Sequence, residues 1–598
     1  QTSTIASHRP KAVGAAYSIG LADVIVPEHR RYPDDAIAVA SFGDASINHA
    51  SAQAAFNTAG WTAYQGVALP LLLICEDNGI GISVPTPSGW VEASMSGRPG
   101  LRYRSADGLD LLATLTTARA CADEVRRTRR PVFLHLSCVR LYGHAGADLE
   151  TTYRAPSEIE ASEADDPLLH SARIVRQVTG LEPANIVELY HQVEDEVDKV
   201  AVDLAGAPRL RHRDEVMASI VPPVRSGAAP SPPSEQTRQE LFGAADWTAR
   251  ERPQTLAKLI NWTLTDLMAT HPEIVVAGED VGRKGGVYGV TQRLQTRFGR
   301  RRVVDTLLDE QSILGLAIGL AHNGFLPIPE IQFLAYYHNA QDQIRGEAAT
   351  LSFFSDGQFT NPMVLRIASL GYQRGFGGHF HNDNSIAVLR DVPGLIVACP
   401  SNGRDASLML RESVRLAREE QRVVAFLEPI ALYATADLHL DGDGGWTCLY
   451  PEPGDEQLSL GQVGIRGRGD DVAIVSYGNG AHLAARAQRV LADEHGVAAR
   501  VVDIRWLSPL PVDAIAEACG PLAQILVVDE CRQTGSLSEQ LLTELSERGI
   551  GASRLCAADS FIPTGPAYAA TLPSCEDIVA TALGLAGTRR PDFFERSR

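Results

Sequence analysis

Short, almost wholly apolar runs alternate with stretches of helical spacing along much of the 598 residues. Residues 36–42 (AIAVASF), 69–75 (LPLLLIC) and 131–137 (PVFLHLS) lack a polar alternation, the pattern of strands buried on both faces of a parallel sheet. Between the first two runs, residues 48–64 place small side chains at helical spacing, so the unit reads strand, loop, helix, strand. The pattern returns at residues 274–277 and 363–367, and again at 470–477 (DDVAIVSY), 500–504 and 524–529. Strands alternating with helices predict parallel or mostly parallel sheets, hence an α/β chain. Residues 158–204 are charged with helical spacing and are expected to wrap the outside. No short-period repeat is visible.

Length predicts more than one core. Residues 221–233 (VPPVRSGAAPSPP) mark the clearest boundary, since their Pro, Ser, Gly and Ala content favours an extended link over a core. The expected division is 1–220, a linker at 221–250, then 251–455 and 456–598. Residues 11–22 form a small-residue, apolar helix with no strand before it. An α/β domain seldom opens that way, so upstream residues are expected to be absent from this chain or supplied by another.

Hydrophobic residues at 44% and charged residues at 21% are ordinary for a globular protein. A net charge of −19 argues against nucleic acid or an anionic membrane surface as partner. The nine cysteines show neither a CxxC pair nor metal-ligand spacing, which predicts reduced thiols and a cytoplasmic location. No run has the length of a membrane span, and no basic-then-apolar leader opens the chain.

Two separated stretches carry the chemistry. Phe42-Gly43-Asp44-Ala45-Ser46 and Cys75-Glu76-Asp77-Asn78-Gly79 fall just beyond two strands, where open α/β sheets bind ligands. Asp44 and the Asn78 amide, with the Ile80 carbonyl, make a hard oxygen set suited to Mg²⁺ on a diphosphate. Either segment alone reads more readily as a turn; together they point to the metal. Residues 305–310 (DTLLDE), followed by 315–319 (GLAIG), bring a different carboxylate in Glu310. A metal–diphosphate anchor combined with such an acid is the arrangement of a thiamine diphosphate enzyme. Beside the aminopyrimidine, Glu310 would favour the imino form that draws the proton from the thiazolium carbon, and the resulting carbanion attacks a 2-oxo acid. That task asks for a buried Glu310 with a raised pKa. The alternative, a carboxylate stabilising a helix N-terminus, is compatible with it. His144 (141–148, LYGHAGAD) and His381 (371–383, GYQRGFGGHFHND) sit on glycine-rich loops. Each could bind a substrate carboxylate or move a proton, worth about 10²–10⁴ in rate, or be a plain surface histidine.

These residues, with Gly278-Glu279-Asp280-Val281, Glu330-Ile331-Gln332-Phe333, Tyr336 and residues 340–343 (AQDQ), resemble the decarboxylating first component of the 2-oxo acid dehydrogenase complexes. The closest form is the branched-chain type, with α and β subunits fused: residues to about 220 are α-like and those from about 250 are β-like. The resemblance implies three transketolase-like parallel-sheet domains: an α-type thiamine diphosphate and Mg²⁺ domain, a β-type pyrimidine-binding domain, and a C-terminal domain serving the dimer interface.

Carried over position by position, Asp44, Asn78 and the Ile80 carbonyl would hold Mg²⁺, while Gly43, Ala45 and Ser46 complete the diphosphate loop. Glu310 would activate the cofactor, His144 would serve acyl transfer to lipoyl, and His381 would lie near the substrate carboxylate. Ser3 and Ile5 would contact the cofactor, Ile5 keeping it bent, and Tyr336 would approach its ring.

There are departures. The usual upstream Tyr and Arg contacts to the diphosphate have no counterpart, which predicts weaker binding. Gly-Asp-Gly has become Gly43-Asp44-Ala45, and Asn-Asn has become Asp77-Asn78, with no proposed ligand lost. Ala145 replaces the second His or Ser, so kinase control through that loop is not expected. His49 stands where Gln or Glu is common, without an assigned role. The implied reaction is oxidative decarboxylation of a 2-oxo acid, with the acyl group passed to a lipoyl-bearing acyltransferase by a homodimer. Phe333 and Tyr336 favour 3-methyl-2-oxobutanoate, with pyruvate open. Competing readings are an acyloin-forming carboligase and a scaffold subunit that has lost catalysis. The joint presence of Asp44, Asn78, Glu310, His144 and His381 argues against the scaffold.

Overall fold

The computed structural model describes residues 4–25, 27, 29–225, 230–454, 456–521 and 523–587. They fall into two compact units, Gln1–Ser219 and Ile220–Arg598.

Unit 1 is built on four parallel strands in the order Ala38–Gly43, Leu71–Asp77, Val132–Ser137, Arg102–Asp107. Gly43 pairs with Glu76 in the register of the first two, so both strands deliver their loops at the same sheet end. Phe42, Phe56 and Phe133 lock the sheet to the helix Ala50–Tyr64, with ring centroids 5.9–6.0 Å apart. The apolar helix His8–Ala22 packs on Ala50–Tyr64. Three helices, Pro156–Ala164, Pro167–Thr179 and Pro183–Ala205, bury no residue and lie on the outside, as their charge pattern predicts.

Unit 2 holds two sheets. The larger runs Trp506–Ser508, Ile396–Ala398, Val423–Pro429, Met363–Ser369, Leu326–Ile331, Ile274–Gly278, Val303–Asp305, all parallel except the first pair. The smaller runs Gly464–Arg466, Ala499–Asp503, Val472–Ser476, Gln524–Arg532, Ala552–Ala557, antiparallel only at its first pair. Strand Trp506–Ser508 leaves the C-terminal part of the chain to extend the larger sheet, so the two layers share one core. The 221–250 segment is not extended throughout. Helix Glu235–Ala249 begins at Ser234, whose hydroxyl accepts the Thr237 N–H (3.2 Å), and buries Phe242 against Trp262 and Trp247. The Pro- and Ser-rich composition that favours an extended link ends at residue 233. All nine cysteines are unpaired, and no described helix is long and apolar enough to cross a membrane.

Glu530, 2% exposed, lies on strand Gln524–Arg532 of the smaller sheet and bonds to Gly371, just past strand Met363–Ser369 of the larger one. One carboxylate oxygen accepts the Gly371 N–H (3.0 Å) and the Asn479 amide (3.4 Å); the other has no partner. Burial pushes its pKa up to about 7. A carboxyl whose folded pKa exceeds its unfolded value of about 4.3 holds extra protons when folded, so stability falls as pH rises towards 7. Glu530→Gln is expected to flatten that slope and to gain about 1–3 kcal/mol at pH 8, read from melting curves between pH 5 and 8.

Candidate active site

The first group of side chains lies in unit 1. Asp44 opens the turn Asp44–Asn48 directly after its strand and is 1% exposed. Its carboxylate accepts the Asn78 backbone N–H (3.4 Å) and the Thr86 hydroxyl. Among the described residues it forms no ion pair. A desolvated carboxylate without a cation is costly, so this arrangement fits a hard divalent ion. Asn78 and Ile80 follow the neighbouring strand half-buried, and the Asn78 amide oxygen accepts the Ile80 N–H (3.1 Å). Ala45 and Gly81 are interdependent: a Cβ on Gly81 would come within 2.3 Å of the Ala45 methyl. Ser46 closes the turn by donating to the Gly43 carbonyl (2.7 Å).

Other expected residues are more scattered. Ile5 is 67% exposed, and Ser3 lies outside the described residues. His49 proves to be a helix cap: Nδ1 accepts the Ser51 N–H (3.2 Å). His144 is exposed, its loop folded around Asp148, which accepts the His144 N–H (2.7 Å) and the Tyr153 hydroxyl (2.5 Å). The Tyr153 bond, then the His144 bond, hold the Asp148 carboxyl below its usual range. Arg140 ties this loop to the segment after Ile80, donating to the Tyr153 oxygen (2.8 Å) and the Ile82 carbonyl (2.6 Å).

The second group lies in unit 2. Glu310 is the first residue of helix Glu310–His322, capped by Asp309, whose carboxylate accepts the Ser312 N–H (3.0 Å). It accepts the Asn339 amide (2.7 Å). Glu310 is half-buried rather than buried, contrary to expectation. It follows the edge strand Val303–Asp305, and Leu308 beside it is 86% exposed, so no further strand of that sheet covers it among the described residues.

The buried carboxyl is Glu279, at the end of Ile274–Gly278, pushed up to about 7 first by burial and then by Glu310 and Asp280. Burial, then Glu279 and Glu310, also raise the Tyr336 hydroxyl, which places the three in one electrostatic neighbourhood. Tyr336 packs on Phe333 (5.5 Å), and Phe333 and Phe376 enclose the His381 ring at 4.5 and 4.8 Å. Gly377 has φ +66°, and a Cβ there would strike the His381 ring at 1.9 Å, so only glycine serves. Tyr288, which the sequence reading did not single out, supports this loop: its hydroxyl donates to Gln373 (2.7 Å), whose amide donates to the His381 carbonyl. Tyr288 and Gln373 are 85 residues apart, so no local pattern announces them.

Three family models match the chain: Dehydrogenase E1 component over residues 5–205, Transketolase pyrimidine binding domain over 252–435, and Transketolase C-terminal domain over 461–578. Over 338 residues, 55% of the chain, it is 31% identical to the pyruvate dehydrogenase E1 component subunit beta of Bacillus subtilis (strain 168), covering 97% of that protein. The chain belongs to the thiamine diphosphate-dependent 2-oxo acid dehydrogenase E1 family. The same subunit of Staphylococcus aureus (strain Mu50) is 32% identical and that of Staphylococcus epidermidis 31%, each over 338 residues. Among solved structures, a split gene transketolase described as an inactive beta4 tetramer overlaps 57% of the chain at 20% identity and a TM-score of 0.43, too loosely to add weight. As an E1 component the chain is an oxidoreductase, with an α-like dehydrogenase domain and two transketolase-like domains in one polypeptide. The relatives carry the pyruvate name, so the branched-chain type is not established by them.

In this E1 chain the oxygen donors around Asp44 fit Mg²⁺ with a diphosphate. Asp44→Asn is expected to weaken Mg²⁺-dependent thiamine diphosphate binding by about 10² or more, beyond the 10–100-fold typical of losing a supporting group. Calorimetric titration with and without Mg²⁺ checks this, and unchanged affinity would exclude Asp44 as a ligand.

Proposed function

We propose that this chain catalyses thiamine diphosphate- and Mg²⁺-dependent oxidative decarboxylation of a 2-oxo acid and passes the acyl group to a lipoyl group of a partner acyltransferase. The observation that carries the reading is that one chain holds both a buried Asp44 carboxylate, which forms no ion pair among the described residues, and the Asn339-bound Glu310. Asp44, Asn78 and the Ile80 carbonyl would hold Mg²⁺, and Gly43, Ala45 and Ser46 would line the diphosphate. When bound, the cofactor supplies the carbon nucleophile and the electron sink for decarboxylation. The protein's part is to orient and to handle protons. Glu310 would share a proton with the pyrimidine ring. His381, fixed in its aromatic frame, would face the substrate carboxylate, and exposed His144 would serve transfer to lipoyl.

Phe333, Tyr336 and Phe376 around His381 favour an apolar substrate side chain such as that of 3-methyl-2-oxobutanoate. The names of the relatives favour pyruvate. One methylene is worth only about 1–3 kcal/mol in such a pocket, so the choice is made by assay. The reading implies a homodimer, the fused counterpart of two α and two β subunits.

The deciding experiment measures dye-coupled decarboxylation of 3-methyl-2-oxobutanoate, pyruvate and 2-oxoglutarate, with and without each cofactor. Turnover that needs both cofactors supports the reading, and the preferred acid names the substrate. No turnover of any acid by cofactor-loaded protein would sink it.

A further inference from the structure

We propose that Arg9 is a positioning residue for the cofactor's diphosphate, a buried cation bracing the turn that carries Asp44; this rests on the function proposed above. Arg9 lies in the first turn of helix His8–Ala22 and is 0% exposed. Its Nη1 donates to the Ser46 carbonyl (2.7 Å) and its Nη2 to the Ser46 hydroxyl. The guanidinium carbon sits 3.9 Å from the centroid of the Phe42 ring. Its Nε has no hydrogen-bond partner, and among the described residues no carboxylate pairs with it.

A guanidinium withdrawn from water without an anion costs several kcal/mol, and an apolar residue would pack the same place without that cost. Burial accordingly pulls the Arg9 pKa down to about 10, offset slightly by the Cys75 thiol. The position of the charge suggests what it serves. Both terminal nitrogens hold Ser46, two residues from Asp44 in the same short turn, and Ser46 in turn grips Gly43. The turn therefore has a fixed positive charge on the helix side and the buried Asp44 carboxylate within it. A diphosphate with Mg²⁺ on that turn would find its counter-charge already in place and its backbone ordered, so little would have to reorganise on binding.

The test uses the full chain with Mg²⁺ and titrates thiamine diphosphate, inorganic pyrophosphate and unphosphorylated thiamine by calorimetry. Arg9→Met is expected to weaken thiamine diphosphate and pyrophosphate by about 10–100-fold, as for loss of a group supporting a metal site. Thiamine affinity should be unchanged, and Arg9→Lys should keep most of the diphosphate affinity. Unchanged diphosphate affinity in Arg9→Met, or an equal loss for thiamine, overturns the proposal. If Arg9→Met does not fold, Arg9→Lys and Arg9→Gln decide: a diphosphate loss confined to Gln supports the role, and equal affinities overturn it. Unsubstituted protein that binds no thiamine diphosphate overturns the proposed function as well, whereas binding that survives in Arg9→Met overturns only the role of Arg9.

Discussion

Replacing Glu310 by Gln is expected to lower 2-oxo acid decarboxylation by about 10³, within the range for loss of a general acid–base group. Thiamine diphosphate affinity should change by less than about threefold. Glutamine has the same size and can still accept the Asn339 amide through its carbonyl oxygen. The helix keeps its cap, because Asp309 and not Glu310 accepts the Ser312 N–H. Only the carboxyl group's capacity to ionise and to share a proton is lost. Because Glu310 is half-buried, folding should be little affected, which separates this variant from one that merely destabilises the protein. The substitution has a second readout in Glu279. That carboxyl stands at about 7 first through burial and next through the Glu310 charge, so its titration should move down in Glu310→Gln. Infrared titration of carboxyl groups together with single-turnover kinetics would show both effects. Undiminished decarboxylation would remove Glu310 from the mechanism.

The strands were legible in the sequence because parallel strands buried on both faces are plainly apolar: 71–77, 132–137, 274–278 and 472–476 all lie within or beside the runs read from the pattern. Asp44 and Asn78 were legible for a related reason, since adjacent parallel strands place both just past their ends. Burial at the site was not. Glu310 lies beside an edge strand, and whether a helix start is covered depends on neighbours far along the chain. The same holds for Arg9, whose partner Ser46 is 37 residues away. His49, which the sequence left without a role, bonds two residues on and caps a helix. Helix Glu235–Ala249 was hidden by the Pro-rich run before it, although Ser234 at its start is a legible cap.

Arg366→Met is expected to cost about 3–5 kcal/mol of stability, the usual penalty for breaking a buried ion network from one side. Arg366, 1% exposed, lies on Met363–Ser369 between the strands that carry Glu330 and Glu428. Its Nη1 meets Glu330 at 2.6 Å, while Nε and Nη2 grip Glu428 at 2.6 and 2.8 Å. Burial alone would weaken the guanidinium's charge, but Glu428 and Glu330 reverse this and raise its pKa above the usual value. Methionine would leave two carboxyls in the sheet interior without a counter-ion, so they would hold their protons to higher pH than in the unfolded chain. Groups with raised folded pKa values lose stability as pH rises, so the deficit should be smaller at pH 5 than at pH 8. Urea unfolding midpoints at both pH values check the sign. Arg366→Met combined with Glu428→Gln should recover part of the loss by removing one stranded charge, although Tyr433 also donates to Glu428 (2.5 Å). The network reaches the site through that same tyrosine, whose ring lies 5.4 Å from Tyr288, the residue that holds Gln373 and so the His381 loop. A loss of stability confined to the sheet would leave substrate KM untouched. A rise in KM in Arg366→Met, at a temperature where the variant is folded, would show that the buried charges also set the position of His381.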